Sequence, residues 1–269
     1  MMNQGFRLVV LACLLMRSSV AQSQIKVFVL GYESSQKRDD EARIDILGSD
    51  PRFDTANSIS PDGYLYGLPS LATLQNYDSV LVWPNVVPDT TTQLSDRLAD
   101  YVDGGGRVVI ATFWGQAVAT AGRLNTHGYN PFTNPTPDAN TPGSLGSFDS
   151  SDPLFAGVSS LTATLYRGDY LPGLDPGATL AGSWDDGRPL AGYSANHRVI
   201  NITLYPDVYQ YVHASGDYRE LFRNALSLPL VVPSGQVPEP GAVTAVAGLL
   251  VFGILMVWRC MRVRVRTGG

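Results

Sequence analysis

"RLADYVDGGGRVVIATF", residues 97–113, carries a helix face, a glycine stop and a buried strand in one short stretch. Leu94, Leu98, Tyr101 and Val102 recur at the three- and four-residue spacing of one helix face, with Asp89 or Thr90 placed to cap its start. Gly104-Gly105-Gly106 ends that helix, because glycine adopts the left-handed backbone of a helix C-terminus without a steric cost. "RVVIATF" then runs apolar without alternating, as a strand covered on both faces does. Upstream, "YDSVLVWPN" (77–85) is a second such run, stopped by Pro84. Strand, helix, glycine turn, strand is the βαβ unit, with a right-handed crossover.

The same grammar extends to both sides. "IKVFVLGY" (25–32) is another continuous apolar run, and it predicts the first parallel strand. Beyond residue 160 the pattern changes. "LTATLYRG" alternates with period two, "ATLAGSW" and "RPLAGY" flank a turn at Asp185-Asp186-Gly187, and "RVINITLY" (198–205) is a late strand. Asp217 and Glu220 have the spacing of a capping box for a last helix that buries Tyr218, Leu221, Phe222, Ala225 and Leu226. Residues 125–151, rich in Pro, Asn, Thr and Gly, read as loop. The expected fold class is α/β: a mostly parallel sheet with a partly antiparallel C-terminal extension, over residues 22–227.

Ligands of such sheets collect at the C-terminal ends of the strands. That rule singles out Glu33 beside Tyr32, Trp83 with Asn85, Phe113 with Trp114 and Gln116, and Asp207 beside Tyr205. Aromatic rings next to amide and carboxylate groups can hold a sugar by its face and its rim. The same rings can also simply seal the sheet edge.

Composition narrows the chemistry. Six of the 19 basic residues lie in the terminal segments, so residues 22–240 hold 13 basic against all 24 acidic side chains, a net charge of −11. Such a surface repels nucleic acid. The two cysteines, Cys13 and Cys260, both fall in terminal apolar segments, which leaves the domain without a disulfide, a thiolate-bound metal or a thiol nucleophile. Histidines 127, 197 and 213 lack metal-motif spacing, no Gly-x-Ser-x-Gly elbow occurs, and Asp39-Asp40-Glu41, Asp149 with Asp152, and Asp185-Asp186 lack the calcium-loop pattern. Asn201-Ile202-Thr203 has the glycosylation pattern but lies in an expected buried strand. No cofactor, metal or catalytic set is therefore assigned, and the chemistry points to a non-catalytic domain. The competing expectation is an extracellular hydrolase of glycans or esters working through Glu33, Asp169 or Asp207.

The two ends read as addresses. Arg7, the apolar Leu8–Met16 and the small residues of Ser19-Val20-Ala21 have the layout of a secretory signal, residues 1–21. At the far end, residues 228–236 form a linker, and Val237-Pro238-Glu239-Pro240 precedes 17 uncharged residues, 242–258. As a helix that run spans roughly 25 Å and reaches across a thin bilayer. Arg259, Arg262, Arg264 and Arg266 follow, and would stay cytoplasmic by the positive-inside rule.

This three-part tail, residues 237–266, resembles the PEP-CTERM sorting signal of exported bacterial proteins. The resemblance implies an exosortase and the secretion machinery as partners, a temporary inner-membrane anchor, cleavage near Pro238–Pro240, and a cell-surface or extracellular-matrix destination. An exopolysaccharide or other envelope glycan is the ligand such a location suggests. The domain itself, through "YDSVLVWPN", "LADYVDGGGRVVIATF", "DPLFAGV" (152–158) and "RVINITLYP", resembles the flavodoxin-like class I glutamine amidotransferase fold. Catalytic members place a cysteine on a tight turn after a strand, with histidine and glutamate downstream. Here Trp114-Gly115-Gln116 follows "VVIATF", so the resemblance implies the scaffold and not the amidotransferase activity.

Overall fold

A computed structural model of the chain describes residues 23–61, 67–86, 90–114, 122–126, 128–133, 141–168, 173–206 and 213–230. The expected signal peptide, the sorting tail, Gln116, Asp169 and Asp207 lie outside the described residues. Among the described residues no helix is long and apolar enough to cross a membrane.

The opening βαβ reading corresponds to β2 (Ser79–Val82), α3 (Thr91–Asp103) and β3 (Arg107–Ala111), preceded by β1 (Val27–Leu30), α1 (Gln36–Leu47) and the short α2 (Leu71–Leu74). β1 pairs parallel with β2 and β2 with β3, and β3 pairs parallel with the late strand β10 (Val199–Ile202). On the outer side of β1, Phe53 and Ile59 make parallel bridges to Ile25 and Phe28. Counting that irregular segment as the second strand in the chain, the parallel part has the order 2-1-3-4-5, the doubly wound order of flavodoxin-like sheets. Its strands are buried throughout because both faces are covered. Phe28, Leu30, Val80, Val82, Val108 and Ile110 pack with Leu94 and Leu98 of α3. Val27, Val29, Leu81 and Val109 face Ala42 and Ile46 of α1 and Leu221, Phe222 and Ala225 of α4 (Tyr218–Ser227).

The antiparallel extension is larger than the sequence suggests. Beyond β10 the sheet continues through β9 (Pro189–Tyr193), β8 (Thr179–Trp184), β5 (Gly143–Phe148), β6 (Leu161–Ala163) and β11 (Ala214–Gly216). These pairings are all antiparallel. A separate two-stranded ribbon joins β4 (Phe132–Thr133) to β7 (Gly173–Leu174). β4 and β5 correct the reading of 125–151 as loop. "GSLGSF" lacks the β-branched residues of a strand, and a Cβ at Gly146 would sit 2.3 Å from the Trp184 carbonyl oxygen. Close backbone approach, and not propensity, set that composition.

Two caps also differ from expectation. Thr90 occupies the N-cap of α3, but its side chain accepts no cap hydrogen bond. Asp217 occupies the N-cap of α4, yet its carboxylate turns outward and accepts from the Ser159 and Ser160 amides at 2.8 and 2.9 Å. Glu220, its supposed partner, instead pairs with Arg52 at 2.8 Å. The competing donors tie α4 to the loop before β6, a long-range cross-link where a local capping box was expected. At the other end of α4, Arg107 is 6% exposed and donates to the Leu226 and Leu228 carbonyls, which no intrahelical partner serves. Burial lowers its pKa to about 10, so it remains a cation at neutral pH and complements the helix dipole.

These cross-links predict the acid response. Hydrogen bonds from Arg52 hold the Asp50 carboxyl below its ordinary pKa, and the Ser159 and Ser160 amides do the same for Asp217. A carboxyl with a lowered folded pKa stabilises the fold above its unfolded value, about 3.9, and loses that contribution as pH falls through the folded value. The free energy of unfolding should therefore stay level between pH 7 and about 5 and fall steeply below about 4. Asp217→Asn should reduce the proton uptake on unfolding in that acid limb, measured by urea melts at stepped pH.

Candidate functional site

At the C-terminal ends of β1 and β2, where the strand order reverses, the chain buries a carboxylate. Glu33 is 0% exposed. Its Oε1 accepts from Trp83 Nε1 at 2.9 Å and from the Tyr205 hydroxyl at 2.5 Å. Oε2 accepts from Asn85 Nδ2 at 2.8 Å, and Arg38, in the first turn of α1, brings a guanidinium nitrogen to 3.6 Å. An ionised carboxylate is an acceptor with about four lone-pair directions. Three donors and a cation occupy most of them.

Local backbone explains how Glu33 gets there. Gly31 follows β1, and a Cβ on it would lie 2.1 Å from Asp39 Oδ1 and 2.4 Å from the Trp83 ring. Only a glycine lets α1 and the indole close over the strand end. Tyr32 then takes a positive φ of 46°, which directs Glu33 inward, and the Tyr32 hydroxyl donates to the Gly67 carbonyl at 3.1 Å. Burial, with the Asp39 carboxylate pushing the same way, raises the Tyr32 pKa, so the phenol stays protonated.

Tyr205 links this polar knot to a group of rings. Its ring meets Phe113 edge-on at 5.3 Å and Tyr166 at 5.7 Å, Phe113 and Tyr166 are 5.4 Å apart, and His213 lies 4.8 Å from Tyr166. Tyr205 is nearly buried, whereas Phe113, Tyr166 and His213 are half-exposed. The Tyr205 amide donates to the Tyr166 carbonyl at 3.1 Å, which fixes the two tyrosines side by side. The result is a half-exposed aromatic surface whose innermost ring is anchored by a carboxylate.

Of the residues singled out at strand ends, Glu33, Trp83, Asn85 and Phe113 come together here. Trp114 does not. It is 1% exposed, belongs to the core under α3, and donates its indole N–H to Asn125 Oδ1 at 2.7 Å. One residue of offset after β3 sends Phe113 and Trp114 to opposite faces of the sheet. Sequence reasoning did not find Tyr166, His213 or Arg38. Tyr166 and His213 lie on the antiparallel extension, to which the strand-end rule does not apply. Among the described residues no cluster of three or more His, Cys, Asp or Glu could hold a metal ion. A surface groove of about 320 Å³ lined by Ile25, Pro51, Arg52 and Ser227 lies at the opposite ends of the strands. Its one charged group, Arg52, is already paired with Asp50 and Glu220.

No family model matches the chain, and no curated protein matches it in sequence. Solved structures do match in fold. One is described as a GMP synthase subunit from Thermoplasma acidophilum: TM-score 0.51, 14% identity, covering 77% of this chain and 94% of that one. A ThuA-like protein from Bacteroides uniformis matches with TM-score 0.51 and 13% identity, covering 78% of this chain and 93% of that one. At these identities the likeness concerns the backbone alone, and it gives the domain a glutamine amidotransferase-like fold.

Proposed function

We propose that the protein is an exported, surface-sorted bacterial protein whose α/β domain binds a ligand without chemical turnover. The observation that carries the non-catalytic reading is the state of Glu33. A general base or nucleophile needs a lone pair open to substrate, and this carboxylate spends its acceptors on Trp83, Tyr205 and Asn85. It supports the site instead of reacting in it. Amidotransferase chemistry is not proposed, since the domain holds no cysteine. An envelope glycan is the ligand class that the aromatic surface and the surface location favour together.

The route to the surface rests on the two ends. Residues 1–21 direct export, the apolar run 242–258 anchors the chain in the inner membrane, and an exosortase cuts near Pro238–Pro240 and releases the domain outward. Expressing the chain with and without an exosortase, and measuring the mature mass, tests this. The expected result is loss of the segment after Pro240 only where the exosortase is present; an intact tail in both samples would sink the sorting reading. Hydrolysis of glycan or ester substrates by the purified chain, abolished by a change at Glu33, Asp169 or Asp207, would favour the hydrolase reading in its place.

A further inference from the structure

Three non-glycine residues among those described have positive φ, and two of them, Tyr32 and Tyr166, flank the Glu33 knot. The left-handed region is costly for a bulky side chain, and residues held there cluster at binding and catalytic sites. Tyr32 has an evident structural use, because its turn buries Glu33 and its hydroxyl is bonded. Tyr166, at φ 59°, has none of that kind. Its ring is half-exposed, and its hydroxyl makes no hydrogen bond among the described residues. Asn85 poses the same question from the other side of Glu33. It is exposed, its amide nitrogen is fixed on the carboxylate, and its Oδ1 accepts nothing among the described residues.

We propose that Tyr166 and Asn85 are ligand contacts that form a subsite for an uncharged sugar ring. This inference rests on the binding reading above and names its ligand. The Phe113, Tyr166 and His213 rings offer apolar surface for the C–H side of a pyranose. Asn85 Oδ1 accepts from a sugar hydroxyl, and the Tyr166 hydroxyl can donate to one or accept from it. Charge selects against the charged alternatives. The net charge of −10 over residues 22–227 opposes an anionic sugar. A cationic sugar would need a carboxylate to face, but Glu33 is buried, hydrogen-bonded and paired with Arg38. Neutral hydroxyls match what the two contacts leave open.

Tyr166→Phe makes the decisive variant because it keeps the ring, its neighbours and the backbone strain while deleting a hydroxyl that no described residue bonds. The full chain, in mild detergent, is titrated calorimetrically with neutral hexasaccharides (β-1,4-glucan, α-1,4-glucan and β-1,4-mannan), with hexagalacturonate, and with hexameric chitosan. Wild type should bind at least one neutral hexamer, and Tyr166→Phe should bind it about fivefold more weakly, the equivalent of one hydrogen bond, with an unchanged melting temperature. Asn85→Ala should weaken the same hexamer to a similar degree. Equal affinity of Tyr166→Phe and wild type, or binding confined to the charged hexamers, would overturn the subsite and leave the binding reading standing. A wild-type chain that binds none of the hexamers would overturn both.

Discussion

Replacing Glu33 with alanine should lower the stability of the domain by about 3 to 4 kcal/mol, more than any other single change at the site. The carboxylate is 0% exposed, and its loss strands the Trp83 indole N–H in the interior and takes an acceptor from the nearly buried Tyr205 hydroxyl. Each buried donor left without an acceptor costs about 1 to 3 kcal/mol. The cavity left by the side chain adds to this, and Asn85 and Arg38 recover part of the loss by turning to water. For a domain of this size the melting temperature should fall by roughly 10 °C. Glu33→Gln keeps one carbonyl oxygen where Oε1 stands, so Trp83 and Tyr205 stay bonded and the loss should be about 1 to 2 kcal/mol. Thermal melts followed by tryptophan fluorescence check both variants. An alanine variant as stable as wild type would mean that the knot contributes nothing to the fold.

Gly31→Ala should cost about 3 kcal/mol, at the upper end for overpacking a filled interior. The added methyl would lie 2.1 Å from Asp39 Oδ1 and 2.4 Å from Trp83, distances that real carbons do not adopt. Neither neighbour is the free end of a surface side chain. Asp39 is buried in the first turn of α1, and Trp83 is held by Glu33. The strand end and the helix must part, which moves the indole away from Glu33. A urea melt should show the lost stability, and near-UV circular dichroism should show the altered indole environment. Native near-UV ellipticity at full stability would contradict the close packing described here.

The parallel half of the fold was legible in the sequence because its signals are local. Apolar runs without alternation, a helix face at Leu94, Leu98, Tyr101 and Val102, and the Gly104–Gly106 stop each report one element, and the pairing of β1, β2 and β3 follows from them. The antiparallel half was only partly legible. β5 is written in glycine and serine because it must approach the Trp184 backbone, a constraint that is invisible until its partner strand is known. The caps failed for a related reason. A side chain such as Asp217 has the right local spacing, but donors from residues 159 and 160 compete for it.

The site divides in the same way. Glu33, Trp83, Asn85 and Phe113 could be found because the C-terminal ends of parallel strands converge at the point where the order reverses. That Glu33 is a buried anchor could not be read from its position, since the donor Tyr205 lies 172 residues away. Tyr166 escaped because its signature is a backbone angle, and a tyrosine in sequence gives no hint of a left-handed conformation.

One titration tests the central claim, that this strand-end surface binds and does not react. The chain, labelled with ¹³C in its aromatic side chains, is mixed with the neutral hexasaccharides, and protein and sugar signals are followed in the same NMR sample. The account predicts saturable shifts of the Tyr166 and Phe113 ring signals while the anomeric signals of the sugar keep their initial ratio over a day. New reducing-end signals that accumulate with time, and disappear in Glu33→Gln, would contradict it and make Glu33 a catalytic residue.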